Sequence, residues 1–296
     1  MRRISVWILR GAAALLIGGI VAAVAVWAAS ESVLRRTFPV RAELVRAAGS
    51  EAVEEGRRLA KLYGCTSCHG PELRGHLFND EPMLVRNYAP NLTLLAPRYS
   101  DKQFAQAIRQ GVRPTDRRAL WGMPSAVFNT VTDPELAAVL AFIRSIRPGG
   151  SATPADEPGM SSRLAILLNH YRPSIPVEEA AIRSAPEQVA AARRHPPVNL
   201  GPKYAKGRHI TATVCSECHG SDLRGDATEG GPDLAIAGAY DQEAFRRLLR
   251  TGVPPGGRDL GIMSEAARDD FRVFTDAEID AIHTYLKARA EKPGIE

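Results

Sequence analysis

Apolar residues fall along this chain in three arrangements, and each predicts a different kind of element. Between Gly11 and Ser30 there is no charged residue. That run matches the hydrocarbon thickness of a bilayer and predicts a membrane-spanning helix within residues 1–30. In residues 50–148 and 201–296 the apolar positions recur instead at helical spacing. Val53, Leu59 and Leu62 share one side of a helix over Glu51–Tyr63, and Phe104, Ala107 and Ile108 do so over Asp101–Gln110. Thr132-Asp133-Pro134-Glu135 opens a final helix with a capping residue, a first-turn proline and an early carboxylate, and Thr275-Asp276-Ala277-Glu278 opens its counterpart. Glycine and proline mark 111–131 and 252–274 as irregular loops. Residues 149–200 are proline-rich and weakly periodic, which predicts an inter-domain segment, helical over Glu178–Arg194 and packed along one or both domains.

The two periodic regions are copies of one another. CTSCHGPELRG (65–75) matches CSECHGSDLRG (215–225), and Pro90-Asn91-Leu92 matches Pro232-Asp233-Leu234. YSDKQFAQAIRQGVRP (99–114) matches YDQEAFRRLLRTGVPP (240–255), and TDPELAAVLAFIRSI (132–146) matches TDAEIDAIHTYLKAR (275–289). Two copies of this length are two homologous domains rather than a solenoid.

Charge changes the picture less than the total suggests. The net charge is +5, but residues 1–49 carry +5, 50–148 carry +3, 149–200 carry 0 and 201–296 carry −3. The excess lies beside the apolar run, which excludes a nucleic-acid-binding face. Arg2, Arg3 and Arg10 place the short N-terminus in the cytoplasm and the rest of the chain outside, with Trp7 and Trp27 near the two membrane interfaces. Ala28-Ala29-Ser30 offers a signal-peptidase site as the alternative, although a signal core spans only about 7–15 residues. Both readings export the chain.

The chain has four cysteines, all of them in Cys65-Thr66-Ser67-Cys68-His69 and Cys215-Ser216-Glu217-Cys218-His219. Cys-x-x-Cys-His is the attachment site of c-type haem: two thiols become thioethers, and the adjacent histidine ligates the iron. A thioredoxin-like redox pair and a zinc site are the alternatives. Against them stand the absence of strand–helix alternation and the 150 residues between the pairs. A second axial ligand is sought among five methionines. Met123 and Met263 occupy matching loops of the two repeats, 54 and 44 residues beyond His69 and His219. Met83 and His76 have no counterparts in the second half. His170, His195 and His209 read as non-ligands, and His283 as a partly exposed helix residue. Arg74 and Arg224 recur five residues after each motif histidine, for a haem propionate or for the surface.

Together, the helix into CxxCH, the Asn/Asp-Leu turn, the loop methionine and the final helix resemble the class I cytochrome c family over nearly all of 50–148 and 201–290. The first half, with APNLT, YSDKQF and its GMP loop, is similar to cytochrome subunits of membrane-bound alcohol and sugar dehydrogenases. Those commonly carry three haems, where this chain has motifs for two. The resemblance implies an all-α fold of two tandem cytochrome c domains behind a transmembrane helix. It also implies His69 and His219 as proximal and Met123 and Met263 as distal ligands of two covalent haem c groups. The expected function is one-electron transfer between redox proteins (a dehydrogenase, a quinol-oxidising complex or a terminal oxidase) on the periplasmic side of a bacterial cytoplasmic membrane. The chain acts alone or as a subunit of a larger complex. A di-haem peroxidase or sulfur-compound oxidoreductase is the enzymatic rival.

Overall fold

The computed structural model describes residues 2–81, 83–173, 196–225 and 230–292, with side chains from residue 6 onward. The helix expected over Glu178–Arg194 and His195 lie outside the described residues.

Helix α1 (Arg2–Leu34) is longer than the uncharged run that predicts it. Val6–Leu34 is long and apolar enough to cross a membrane. Residues 37–48 then lie along the first repeat instead of hanging free. The Phe38 amide donates to Arg117 O, the Arg41 amide to Gln110 Oε1, and the Ala47 amide to Asp101 Oδ2. Val45 is buried. The apolar helix is therefore held firmly against the domain that follows it.

The first repeat is built from α2 (Val53–Leu62), α3 (Cys65–His69), α4 (Leu92–Leu95), α5 (Asp101–Gln110), α6 (Ser125–Phe128) and α7 (Asp133–Ser145). Helix α5 has the limits its periodicity predicts, because local signals set both ends. Ser100 and Gln103 form a capping box, and Gly111 closes the helix in the left-handed conformation at φ 67°. Between α3 and α4 a hairpin departs from the all-α expectation. Strands β1 (His76–Glu81) and β2 (Val85–Ala89) pair antiparallel, and β3 (Glu157–Pro158), from the inter-domain segment, adds to β2. Among the described residues the hairpin has no counterpart in the second repeat, and the fold remains mainly α. After β3, α8 (Met160–Leu167) packs against the end of α1, so the inter-domain segment does run along the first domain.

The second repeat contains α9 (Ala205–Ile210), a π turn (Thr211–Cys215), α10 (Ser216–His219), α11 (Gln242–Thr251), α12 (Ile262–Asp269) and α13 (Asp276–Ala290). Where Gly64 (φ 70°) breaks the path from α2 into the first motif, the second has Val214. A β-branched residue is unsuited to that backbone, and the helix passes into the motif through the π turn. The loop expected over 252–274 contains α12 in place of irregular chain. Met263 thus lies in the first turn of a helix, because Ile262–Asp269 has no proline and good helix formers.

In each repeat the first helix crosses the last at a glycine. A Cβ on Gly56 would sit 1.9 Å from Ala138 O, and one on Gly207 would sit 2.1 Å from Ala281 O. The repeats share one hydrophobic core cluster and meet through reciprocal contacts. Two residues past the first glycine, Arg58 pairs with Glu278 (2.9 Å), the capping-box carboxylate of α13. Two residues past the second, His209 Nε2 meets Glu135 (2.9 Å), the capping-box carboxylate of α7. The same surface patch on each domain thus grips the other, an isologous arrangement within one chain.

Glu135 carries a pH dependence. Burial raises its pKa, but hydrogen bonds from His209 and Thr132 outweigh that and bring the carboxyl to about 2. A depressed carboxylate contributes stability above its unfolded value, and this is lost as pH falls through the folded one. Between pH about 4.5 and 2, on the order of 2 kcal/mol should vanish after allowance for partial exposure. Urea denaturation followed against pH is expected to show a loss smaller by about that amount in Glu135→Gln than in the native chain, the remaining slope coming from the other depressed carboxylates, Glu55, Asp101 and Asp233.

Candidate functional site

Each Cys-x-x-Cys-His segment is a single helical turn ended by a glycine of positive φ, Gly70 (80°) or Gly220 (79°). The turn places thiols i and i+3 on one side and carries the histidine out of its last residue. Gly75 N donates to His69 O (2.7 Å) and Gly225 N to His219 O (2.8 Å), folding the following chain back beneath the histidine. Leu73 and Leu223 both adopt φ above 50°, which leucine rarely does, and both are fully buried. The strain recurs at the same place because the same return turn is made twice.

That turn brings in an acceptor that the sequence reading overlooked. His69 Nδ1 donates to Pro90 O at 2.9 Å and His219 Nδ1 to Pro232 O at 2.8 Å. The acceptors lie 21 and 13 residues downstream, the difference being the β1–β2 hairpin. A proton held on Nδ1 leaves Nε2 as the free, basic nitrogen, the arrangement that orients and strengthens an imidazole ligand. Burial also lowers the pKa of His69, favouring the neutral form that binds metal. The repeated proline was visible in the alignment; what its carbonyl does was not. Asn91 and Asp233 fix the segment after each proline, capping it through Thr93 N and Ala235 N.

The thiols behave against the rival chemistries. Burial pushes Cys65 up to about 12, Cys215 up to about 12 and Cys68 upward as well, whereas a redox-active Cys-x-x-Cys pair needs a depressed thiol. None of the four cysteines is in a disulfide. Among the described residues no three histidine, cysteine or acidic side chains converge as a zinc site would require. Among the described residues, Thr66 Oγ1 inside the first motif and Trp121 Nε1, two residues before Met123, are buried polar atoms that lack partners. Unpaired buried donors are rare, and these suit a polar group carried by a bound cofactor.

Met123 and Met263 are half-buried against the hydrophobic core, just before α6 and in the first turn of α12. The chain around each is pinned alike. Ser125 Oγ donates to Ala107 O and Ser264 Oγ to Gly252 O, tying each methionine segment to the end of the middle helix. Met83 is 75% exposed on the hairpin turn. His283 is buried, its Nε2 on Tyr240 O (2.9 Å) and its ring stacked on Phe245, not partly exposed as expected. Its repeat partner Leu140 is fully buried, and that equivalence was the available signal. Arg74 and Arg224 stay half-exposed and pair locally with Glu72 and Asp222.

The two motifs face each other across the domain contact. Ser67, inside the first, donates to both Asp270 oxygens (2.9 and 3.0 Å), and Lys61 approaches the same carboxylate. Cys68 feels the charge of Glu217, inside the second motif. Thr213, in the π turn leading into that motif, meets Thr130 at 2.9 Å.

A helical turn that presents two thiols and a preoriented imidazole suits a covalently attached porphyrin, and the arrangement recurs in both repeats. The cytochrome c family model matches residues 53–147 and 204–290, more than half of the chain, which belongs to the cytochrome c family. The family's domains carry covalent haem c. The chain is 25% identical over 266 residues to the fructose dehydrogenase cytochrome subunit of Gluconobacter japonicus, covering 80% of this chain and 52% of that one. It is 24% identical over 281 residues to the cytochrome c subunit of the quinone alcohol dehydrogenase of Gluconacetobacter polyoxogenes, covering 83% and 58%. To the gluconate 2-dehydrogenase cytochrome c subunit of Pantoea cypripedii it is 23% identical over 291 residues, covering 83% and 61%. The chain thus spans between half and two thirds of the length of these relatives.

Proposed function

We propose that this chain is a membrane-anchored di-haem cytochrome c that passes single electrons as the cytochrome subunit of a membrane-bound dehydrogenase. The observation that carries the reading is the paired geometry of His69 with Pro90 and His219 with Pro232. Each motif histidine is already oriented with one nitrogen free. Cys65 and Cys68 hold one haem and Cys215 and Cys218 the other; His69 and His219 are the proximal ligands, Met123 and Met263 the distal ones. Haem supplies the one-electron iron couple. The chain's own residues set ligand orientation, exclude water and fix the spacing between sites. Ser67 of the first attachment segment bonds to Asp270 of the second domain, and Glu217 of the second segment acts electrostatically on Cys68, a proximity that favours exchange between the haems within one chain.

α1 anchors the chain in the cytoplasmic membrane, with both haem domains on the periplasmic side. The relatives' names point to a dehydrogenase as the donor, and a quinol-oxidising complex or terminal oxidase suits the acceptor. The +3 and −3 balances of the two domains suit different docking partners. Two methionines in matching places argue against an enzyme with one haem open for substrate.

A pyridine haemochrome assay combined with intact mass tests the reading. Two covalent haems per chain are expected, with ferric spectra wholly low-spin. One haem, or a high-spin component, would refute it. Purification in mild detergent should recover a dehydrogenase subunit alongside the cytochrome.

A further inference from the structure

Helix α8 wears its apolar side outward. Ser162 and Ile166 face the protein, while Met160, Leu164 and Leu168, four residues apart and so on one stripe, are 44%, 47% and 58% exposed. The turn of the hairpin extends the patch. Gly159 N donates to Leu84 O (2.6 Å), and Ser161 bonds to Met83 O. Met83 and Leu84, 75% and 45% exposed, therefore sit beside the start of α8. Large apolar side chains grouped on a surface mark an interaction site.

Where the patch lies identifies its occupant. Arg163, on α8, donates to Ser30 Oγ (2.9 Å) and pairs with Glu31 (3.3 Å), and its guanidinium covers the Trp27 ring at 5.5 Å. These are residues at the haem-domain end of α1, where an indole marks the water interface of a spanning helix. Beside Arg163, Leu164 thus sits next to the end of an apolar helix on which Val24 and Trp27 are also exposed. Residues 37–48 bind the same helix to the first domain, so the depth of α8 is set by α1 and not by a loose tether.

We infer that α8 and the hairpin turn form an interfacial foot, Met83, Leu84, Met160, Leu164 and Leu168 being inserted into the headgroup–acyl boundary of the leaflet at the haem-domain end of α1. Such a foot, added to a spanning helix, stops the domain from swivelling about a single anchor and presents the first haem domain to membrane partners in one orientation. The inference rests on the anchoring proposed above.

Photo-crosslinking of the full chain, with both haems attached, tests it. Attachment consumes the native thiols, so Leu164→Cys, Leu168→Cys and Met83→Cys can each be labelled with benzophenone maleimide. The labelled chains are irradiated in phosphatidylethanolamine–phosphatidylglycerol nanodiscs and in native membranes. Phospholipid adducts roughly ten-fold or more above those of an exposed Glu72→Cys control are expected at all three sites in both settings. Adducts no more frequent than in the control, or adducts to a protein subunit in native membranes, would overturn the foot. Leu16→Cys, within α1, reports on the anchor separately. Lipid adducts there without adducts at 164 sink the foot alone, whereas their loss at both positions sinks the anchor.

Discussion

Replacing Gly56 by valine is expected to cost the chain one of the two haems proposed for it and leave the other in place. Gly56 lies where α2 crosses α7, and any Cβ there would penetrate the carbonyl of Ala138, at 1.9 Å, and crowd Phe142. The obstacle is backbone inside a helix, which cannot rotate aside as a side-chain tip would. The helices must separate, opening a core that includes Leu59, Leu136 and Phe142. The gain in helix propensity over glycine is below about 1 kcal/mol, against an overpacking cost of about 3 kcal/mol or more where the obstacle is backbone. Without that crossing, α3 has no fixed platform, and Cys65, Cys68 and His69 lose their common orientation. Gly207→Val should do the same to the second domain, where the obstacles are Ala281 O at 2.1 Å and the Cβ of Tyr285. The pyridine haemochrome should read one haem per chain for either variant and two for Gly18→Val, whose added Cβ meets nothing within 4 Å. Retention of both haems by the Gly56 variant would mean that the helix crossing is not what holds the site.

The second large effect is on potential. Met123→Ala and Met263→Ala should each leave both haems covalently attached, since the thioether bonds are made elsewhere. Each should lower the potential of its own site by a sizeable part of the roughly 0.8 V range that axial ligands span. The ferric spectrum of that site should lose its methionine-to-iron band while the other site keeps it. Because Met123 and Met263 are pinned by different serines in different domains, the two shifts should be independent. Unchanged potentials would remove both residues from the ligand set and send the search to other side chains.

Much of this was readable beforehand. The limits of α5 are written in Ser100, Gln103 and Gly111, and the start of α7 in Thr132, Pro134 and Glu135. The motifs, the duplication and the apolar helix are equally local. The hairpin was missed because β1 carries charges at Asp80 and Glu81 and shows no clean alternation. His283 takes the buried place of its counterpart Leu140 because Tyr240 O, 43 residues away, satisfies its ring nitrogen, a partner no local pattern shows. The capping carboxylates Glu135 and Glu278 were recognised for one role and turned out to have two.

Helix periodicity, caps and the pentapeptide act over one to five residues, and there the amino-acid order alone suffices. The acceptor for each histidine comes from 13 or 21 residues away, and the contact of Ser67 with Asp270 spans 203. Such pairs depend on how helices cross and on which surfaces two copies of a domain bury together. No local pattern encodes that choice, because it is made by the packing energy of the whole core.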